Sequence, residues 1–134
     1  MKIFLILFLF FSLSVSASNE ASARLLFQKY ISSIENKDLS ALLSTMDDHF
    51  IKETGGKDHW KEVIEMLGHE YKGARVVQVE LKKFKGRYYA RFNFRKKSET
   101  EKPLGDKWFQ LKLIGNKLLI YDFLDHFIPE EEVN

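Results

Sequence analysis

The chain has no cysteine in 134 residues, which excludes disulfides, thiolate metal sites, a cysteine nucleophile and a lipid-modified N-terminal cysteine. It also lacks a charge excess of either sign. Lys and Arg number 21 against 19 Asp and Glu, and the resulting +2 is too balanced overall for a general polyanion binder. There is no Gly-rich phosphate loop, no Gly-x-Ser-x-Gly elbow and no dinucleotide fingerprint. The four histidines, His49, His59, His69 and His126, show neither HExxH nor His-x-His spacing, so no metal and no cofactor is expected. What remains is 45% hydrophobic and 30% charged, enough apolar material for one domain with a buried core.

The N-terminus reads as an address. Met1-Lys2 supplies a positive start, Ile3 to Phe11 is an unbroken apolar run of nine residues, and Ser12 to Ala17 turns small and polar. This is the layout of a secretory signal peptide over residues 1–17, with Val15-Ser16-Ala17 as the cleavage site and Ala21-Ser22-Ala23 as the second option. A membrane-spanning helix needs roughly 20 apolar residues, and this run is too short. Removal of residues 1–17 leaves 117 residues at +1. Export to a bacterial periplasm, or to the extracellular space, is expected, because small domains secreted by eukaryotes often carry disulfides. Export in turn argues against nucleic acid as a partner.

Residues 18–128 read as a single domain in which helices precede strands. Phe27, Tyr30, Ile31 and Ile34 recur at helical spacing within residues 20–35. Asp38 is placed to N-cap a second short helix carrying Leu39, Leu42, Leu43 and Met46. Residues 50–54 are expected as a short extended segment, and a third helix over 57–67 stops at Gly68. After Gly73 the period becomes 2. Val77, Val79 and Leu81 alternate with polar residues, as do Tyr88, Ala90, Phe92 and Phe94, and then Phe109, Leu111 and Leu113. Lys85-Gly86 and Gly115-Asn116 mark turns, residues 96–105 a polar loop or long hairpin tip, 117–127 the last strand and 129–134 an acidic tail. The expected class is α+β, with N-terminal helices packed on one face of an antiparallel sheet.

Residues 28–51, QKYISSIENKDLSALLSTMDDHFI, with Gly55-Gly56 before the next helix, resemble the nuclear-transport-factor-2-like superfamily. Residues 108–123, WFQLKLIGNKLLIYDF, look like its closing hairpin. The resemblance spans about residues 20–127 and implies a strongly bent sheet that forms a cone with the helices. The superfamily holds enzymes, transport factors and ligand-binding exported proteins, so fold alone does not select a function. By resemblance to its ketosteroid isomerases, Tyr30 matches the hydrogen-bond-donating tyrosine and Glu53 falls at the carboxylate base. The third position, a protonated carboxyl, falls near Phe109, which is apolar, so half of that oxyanion site is missing. Tyr30 and Glu53 are therefore the candidate acid–base pair. The alternative makes Tyr30 a core residue and Glu53 a solvated one.

Two further groups stand out. Tyr30, Trp60, Tyr88, Phe92, Trp108 and Tyr121 are candidates to line an apolar ligand pocket, or else to fill a closed core. Lys82, Lys83, Lys85, Arg87, Arg91 and Arg95, with Lys96 and Lys97, put +8 on residues 81–97 with no acid. Such a basic hairpin suits anionic headgroups or an acidic protein, or else forms a solvated outer face. The leading expectation is an exported, non-catalytic binding or interaction module with a small apolar molecule or a protein as partner, dimeric through its sheet. The alternatives are a small cone-pocket isomerase, dehydratase or hydrolase using Tyr30 and Glu53, and an anionic-surface binder acting through residues 82–97 with weak envelope contact.

Overall fold

The computed structural model describes residues 2–96 and 108–124, with side chains from Asn19 onward. Lys97, most of the polar loop at 96–105, Asp125, His126, the end of the last strand and the acidic tail lie outside the described residues. The elements are α1 (Lys2–Glu35), α2 (Leu39–Leu43), α3 (Asp48–Glu53), α4 (Gly56–Leu67), β1 (Arg75–Phe84), β2 (Arg87–Arg95), β3 (Trp108–Ile114) and β4 (Lys117–Leu124). The chain is an α+β protein, and its described residues form four helices followed by an antiparallel meander in the order β1-β2-β3-β4.

The first helix runs unbroken from Lys2, well before the 20–35 span that periodicity marks. Its buried residues Ala23, Leu26, Phe27, Ile31 and Ile34 form one stripe, as the spacing requires. The helix ends where Lys37 turns to φ 54, while the Lys37 and Asp38 amides donate to the carbonyls of Ile34 and Ser33 at 3.2 and 2.9 Å. Asp38 then caps α2, its Oδ1 accepting from the Ala41 amide at 3.1 Å, as expected. Residues 50–54 are not extended. Asp47 Oδ1 accepts the His49 amide at 2.9 Å and starts α3, which buries Phe50. A six-residue segment is too short for its apolar period to separate helix from strand. Gly68 keeps helical dihedrals, so its role is space: a Cβ there would meet the Ile64 and Ile34 carbonyl oxygens at 2.8 and 3.0 Å.

Two bulges shape the sheet. In β1 the register against β2 shifts between Val76 and Gln78, so the helix-facing side chains are Val76, Val79 and Leu81 rather than an alternation that includes Val77. In β3–β4 it shifts between Gln110 and Leu111, which pushes Tyr121 out of the pairing. Phe27 of α1 stacks on Phe92 of β2 at 4.1 Å and 19°, and Phe109 and Phe123 continue the cluster across the sheet. The α2–α3 connection is tied to β4. The Asp47 amide donates to the Ile120 carbonyl at 2.8 Å, and the Ile120 amide donates to that of Thr45 at 2.9 Å. Trp108 and Tyr89 are also buried, but outside the helix-side core, since Trp108 has the opposite parity to Phe109.

Side chains of α1 hold the approach to β1. Gln28 Oε1 accepts the Val76 amide at 2.9 Å, Gln28 Nε2 donates to Ser32 Oγ at 2.9 Å, and Glu35 Oε1 accepts the Gly73 amide at 2.8 Å. Gln28→Leu keeps the bulk but strands the half-buried Val76 N–H, and is expected to destabilise the fold by about 1–3 kcal/mol. Ser32→Ala removes only the second bond and should cost about 0.5–1 kcal/mol. Urea midpoints of the two variants check the order.

Candidate functional site

The structure separates the sequence-derived candidates. Tyr30, Trp60 and Phe92 meet inside the molecule. The Tyr30 ring stands edge-on to Trp60 at 6.3 Å and to Phe92 at 6.4 Å, and Phe50 packs on Trp60 at 5.8 Å. Trp60 Nε1 donates to Thr54 Oγ1 at 2.8 Å, which satisfies its one donor. These rings interlock as core. Burial pushes the Tyr30 phenol well above the usual tyrosine range, and the neighbouring Tyr71 phenol adds to the shift. Tyr71 is raised as well, by burial first and then by the charge of Glu70. Glu53, at the C-terminal end of α3, is exposed to solvent, not the desolvated setting that makes a carboxylate a useful base. Phe109 sits in the core against Phe27, Phe92 and Phe123, so its apolar side chain is part of the packing.

Tyr88 and Tyr121 lie elsewhere, with two of the basic residues. β2 pairs with β3 only over Tyr88–Ala90 against Phe109–Leu111. The β3–β4 hairpin continues past that point to Ile114, whereas β2 begins at Arg87, so one hairpin overhangs the turn of the other. In this step lies an open cleft of about 740 Å³ lined by Lys83, Arg87, Tyr88, Gln110, Lys112, Tyr121 and His49, among others. Lys83 Nζ stands 5.5 Å from the Tyr88 ring and Lys112 Nζ 5.3 Å from that of Tyr121. The His49 ring is stacked on Tyr121 at 4.5 Å and 16°. Lys112 reaches Asp47 at 3.9 Å. Among the described residues Asp122 is the one carboxylate in the lining, and its Oδ1 accepts its neighbour's amide, Phe123 N, at 2.8 Å. Asn19 Nδ2 donates to the Tyr88 hydroxyl at 3.4 Å, which puts the start of the described α1 side chains beside the cleft.

The other basic candidates have different surroundings. Arg91 is bound to Glu80 by two contacts, Nε at 2.9 Å and Nη2 at 2.8 Å, and its guanidinium lies 4.8 Å from the Trp108 ring. Lys82 also approaches Glu80, at 3.6 Å. Trp108 is therefore enclosed on the outer side of the sheet, away from Phe92 and Tyr30. Arg95 pairs in register with Arg75 at the far end of the β1–β2 ribbon. Lys85 sits at the turn with φ 51. Periodicity marks neither Lys112 nor His49 as members of the site, because the overhang that recruits them is tertiary. Among the described residues, no group of three or more His, Asp or Glu is arranged to hold a metal ion. No family model, no curated protein and no solved structure matches the chain.

The raised phenols fix a pH dependence. The fold favours neutral Tyr30 and Tyr71, so this contribution is complete below the ordinary tyrosine pKa of about 10 and is lost as pH rises above it. The expected decline is about 1.4 kcal/mol per pH unit while Tyr30 is still held protonated, with a smaller contribution from the half-buried Tyr71. Stability in urea should fall between about pH 10 and pH 11, and less steeply in Tyr30→Phe. Parallel declines in the two proteins would show that Tyr30 is not the group responsible.

Proposed function

We propose that this protein is an exported, non-catalytic binding module whose cleft at the end of the sheet takes an anionic ligand. The observation that carries the reading is the convergence of Lys83, Arg87 and Lys112, from three different strands, on one open cleft with tyrosine walls and Gln110 at hand. Cations near a concave surface of mixed polarity attract anions more strongly than the same charges spread over a sphere. The apolar run at Ile3–Phe11 and the small residues that follow it support export. Helices followed by a four-stranded meander support the nuclear-transport-factor-2-like type of architecture. The interlocked rings around Tyr30 favour a filled interior over an apolar ligand there, and the exposure of Glu53 favours a solvated carboxylate over the base that the isomerase-like alternative requires.

Titration with inositol hexakisphosphate tests this reading. Binding should be saturable and should weaken as salt rises from about 50 to 500 mM, because the contributing charges are exposed. The triple variant Lys83→Ala, Arg87→Ala, Lys112→Ala is expected to bind at least about tenfold more weakly, with an unchanged circular dichroism spectrum. Absence of binding, or equal binding by the variant, would overturn the proposal.

A further inference from the structure

We infer that the corner of the molecule holding the cleft docks on an anionic bilayer, with lipid phosphates as the anions and the tip of the β3–β4 hairpin seated among the headgroups. This rests on the anion-binding reading of the cleft and names the source of the anion.

Three independent features of that corner agree. The first is apolar. Leu113 and Ile114, leading into the Gly115-Asn116 turn, are 41% and 49% exposed, and Leu113 also lines the cleft. On its other side the tip borders a small apolar groove of about 210 Å³ that includes Leu26 and Leu118, with Leu25 at its rim 70% exposed. Consecutive strand residues take opposite faces, so the tip carries an exposed aliphatic side chain on each side, Leu113 toward the cleft and Ile114 away from it. The second is charge. Lys112 and Lys117 flank the tip, and Lys83, Lys85 and Arg87 stand on the neighbouring turn. Lys85 occupies a left-handed position that glycine or asparagine would take with less strain, so a cation stands at that turn against backbone preference. Aliphatic side chains ringed by lysine and arginine are the composition of an interfacial contact, where the tips enter the headgroup layer and the cations meet phosphates.

The third feature is the direction of the chain. Asn19 is held against Tyr88 in the cleft wall, so the residues preceding it join the domain at this corner. The apolar run Ile3–Phe11 belongs to the same helix. While that run is still part of the chain, its end lies about two helical turns before Asn19, which keeps this corner close to any bilayer that receives it. Once it is removed, the cations and the hairpin tip remain to hold the surface.

Vesicle co-sedimentation of the chain, expressed with its own N-terminus and recovered as the host processes it, tests the inference. Vesicles of phosphatidylglycerol in phosphatidylcholine should bind the protein, and pure phosphatidylcholine vesicles should bind it far less. Each corner cation removed should weaken binding about fivefold. Ile114→Asn, at a tip residue outside the cleft lining, should weaken vesicle binding severalfold while leaving inositol hexakisphosphate binding in place. Arg75→Ala with Arg95→Ala lowers the net charge by the same kind of residue at the far end of β1–β2, and should change vesicle binding little. Equal binding to neutral vesicles overturns the inference, as does an equal loss in the Arg75/Arg95 variant or no loss in the Ile114 variant. Binding of inositol hexakisphosphate without vesicle binding overturns it while the anion-binding reading stands. Binding of neither overturns both.

Discussion

Phe27 lies flat on Phe92, 4.1 Å apart, and this stack joins the apolar stripe of α1 to the middle of the sheet. A stack of two large rings fixes both the distance and the rotation of a helix on a strand, which smooth aliphatic contacts do not. From it the cluster spreads in both directions, through Tyr30 and Trp60 toward α4 and through Phe109 and Phe123 toward β4. The helix so placed brings Gln28 and Glu35 to the chain entering β1, where both accept backbone amides. Gly68 completes the arrangement, because only a residue without Cβ lets the end of α4 lie against the Ile34 carbonyl.

The cleft follows from the same placement. The α2–α3 connection is bonded to β4 at Ile120, and the neighbouring bulge turns Tyr121 away from its pairing toward His49. β2 begins at Arg87, one residue from its pairing with β3, whereas β3 runs on to Ile114, so the two hairpins part at their turn ends. A wider pairing would have closed the step and carried Lys83, Arg87 and Lys112 onto a continuous surface. Polar and charged side chains line the gap because it opens to water, whereas the rings on the helix side face one another.

The cations of the β1–β2 hairpin have two distinct uses. Arg91 and Lys82 serve the outer face of the sheet, where Glu80 and the Trp108 ring engage them. Lys83, Lys85 and Arg87 lie at the turn, with aromatic faces as the neighbours of the two lysines. Two guanidinium nitrogens that meet one carboxylate oxygen, with the guanidinium packed on an indole, are held by geometry, whereas a lysine at a turn is free to meet an anion from solution.

Local chemistry is what the sequence determined. The stripe of Phe27, Ile31 and Ile34, the cap at Asp38, the turns at Lys85-Gly86 and Gly115-Asn116 and the helix-then-strand order all rest on contacts between residues near one another in the chain, so composition and period reveal them. The isolated short segment at Phe50 defeated period because a turn and a half of helix is shorter than the pattern that identifies it. The basic character of the β1–β2 hairpin was legible, but not which of its cations were already engaged. That depended on Glu80 facing Arg91 in register and on Trp108 arriving from β3. Tyr88 and Tyr121 read as equal members of an aromatic set with Trp60 and Phe92, yet they stand in a polar cleft while the others form core. For Tyr121 the cause is the bulge, which takes it out of register with β3 and leaves little trace in the residues around it. Tyr88 keeps the face of Phe92 and touches the core, and it reaches the cleft because it stands at the turn end of β2. Tertiary structure alone decided that separation, because the partners of each ring come from strands and helices tens of residues away.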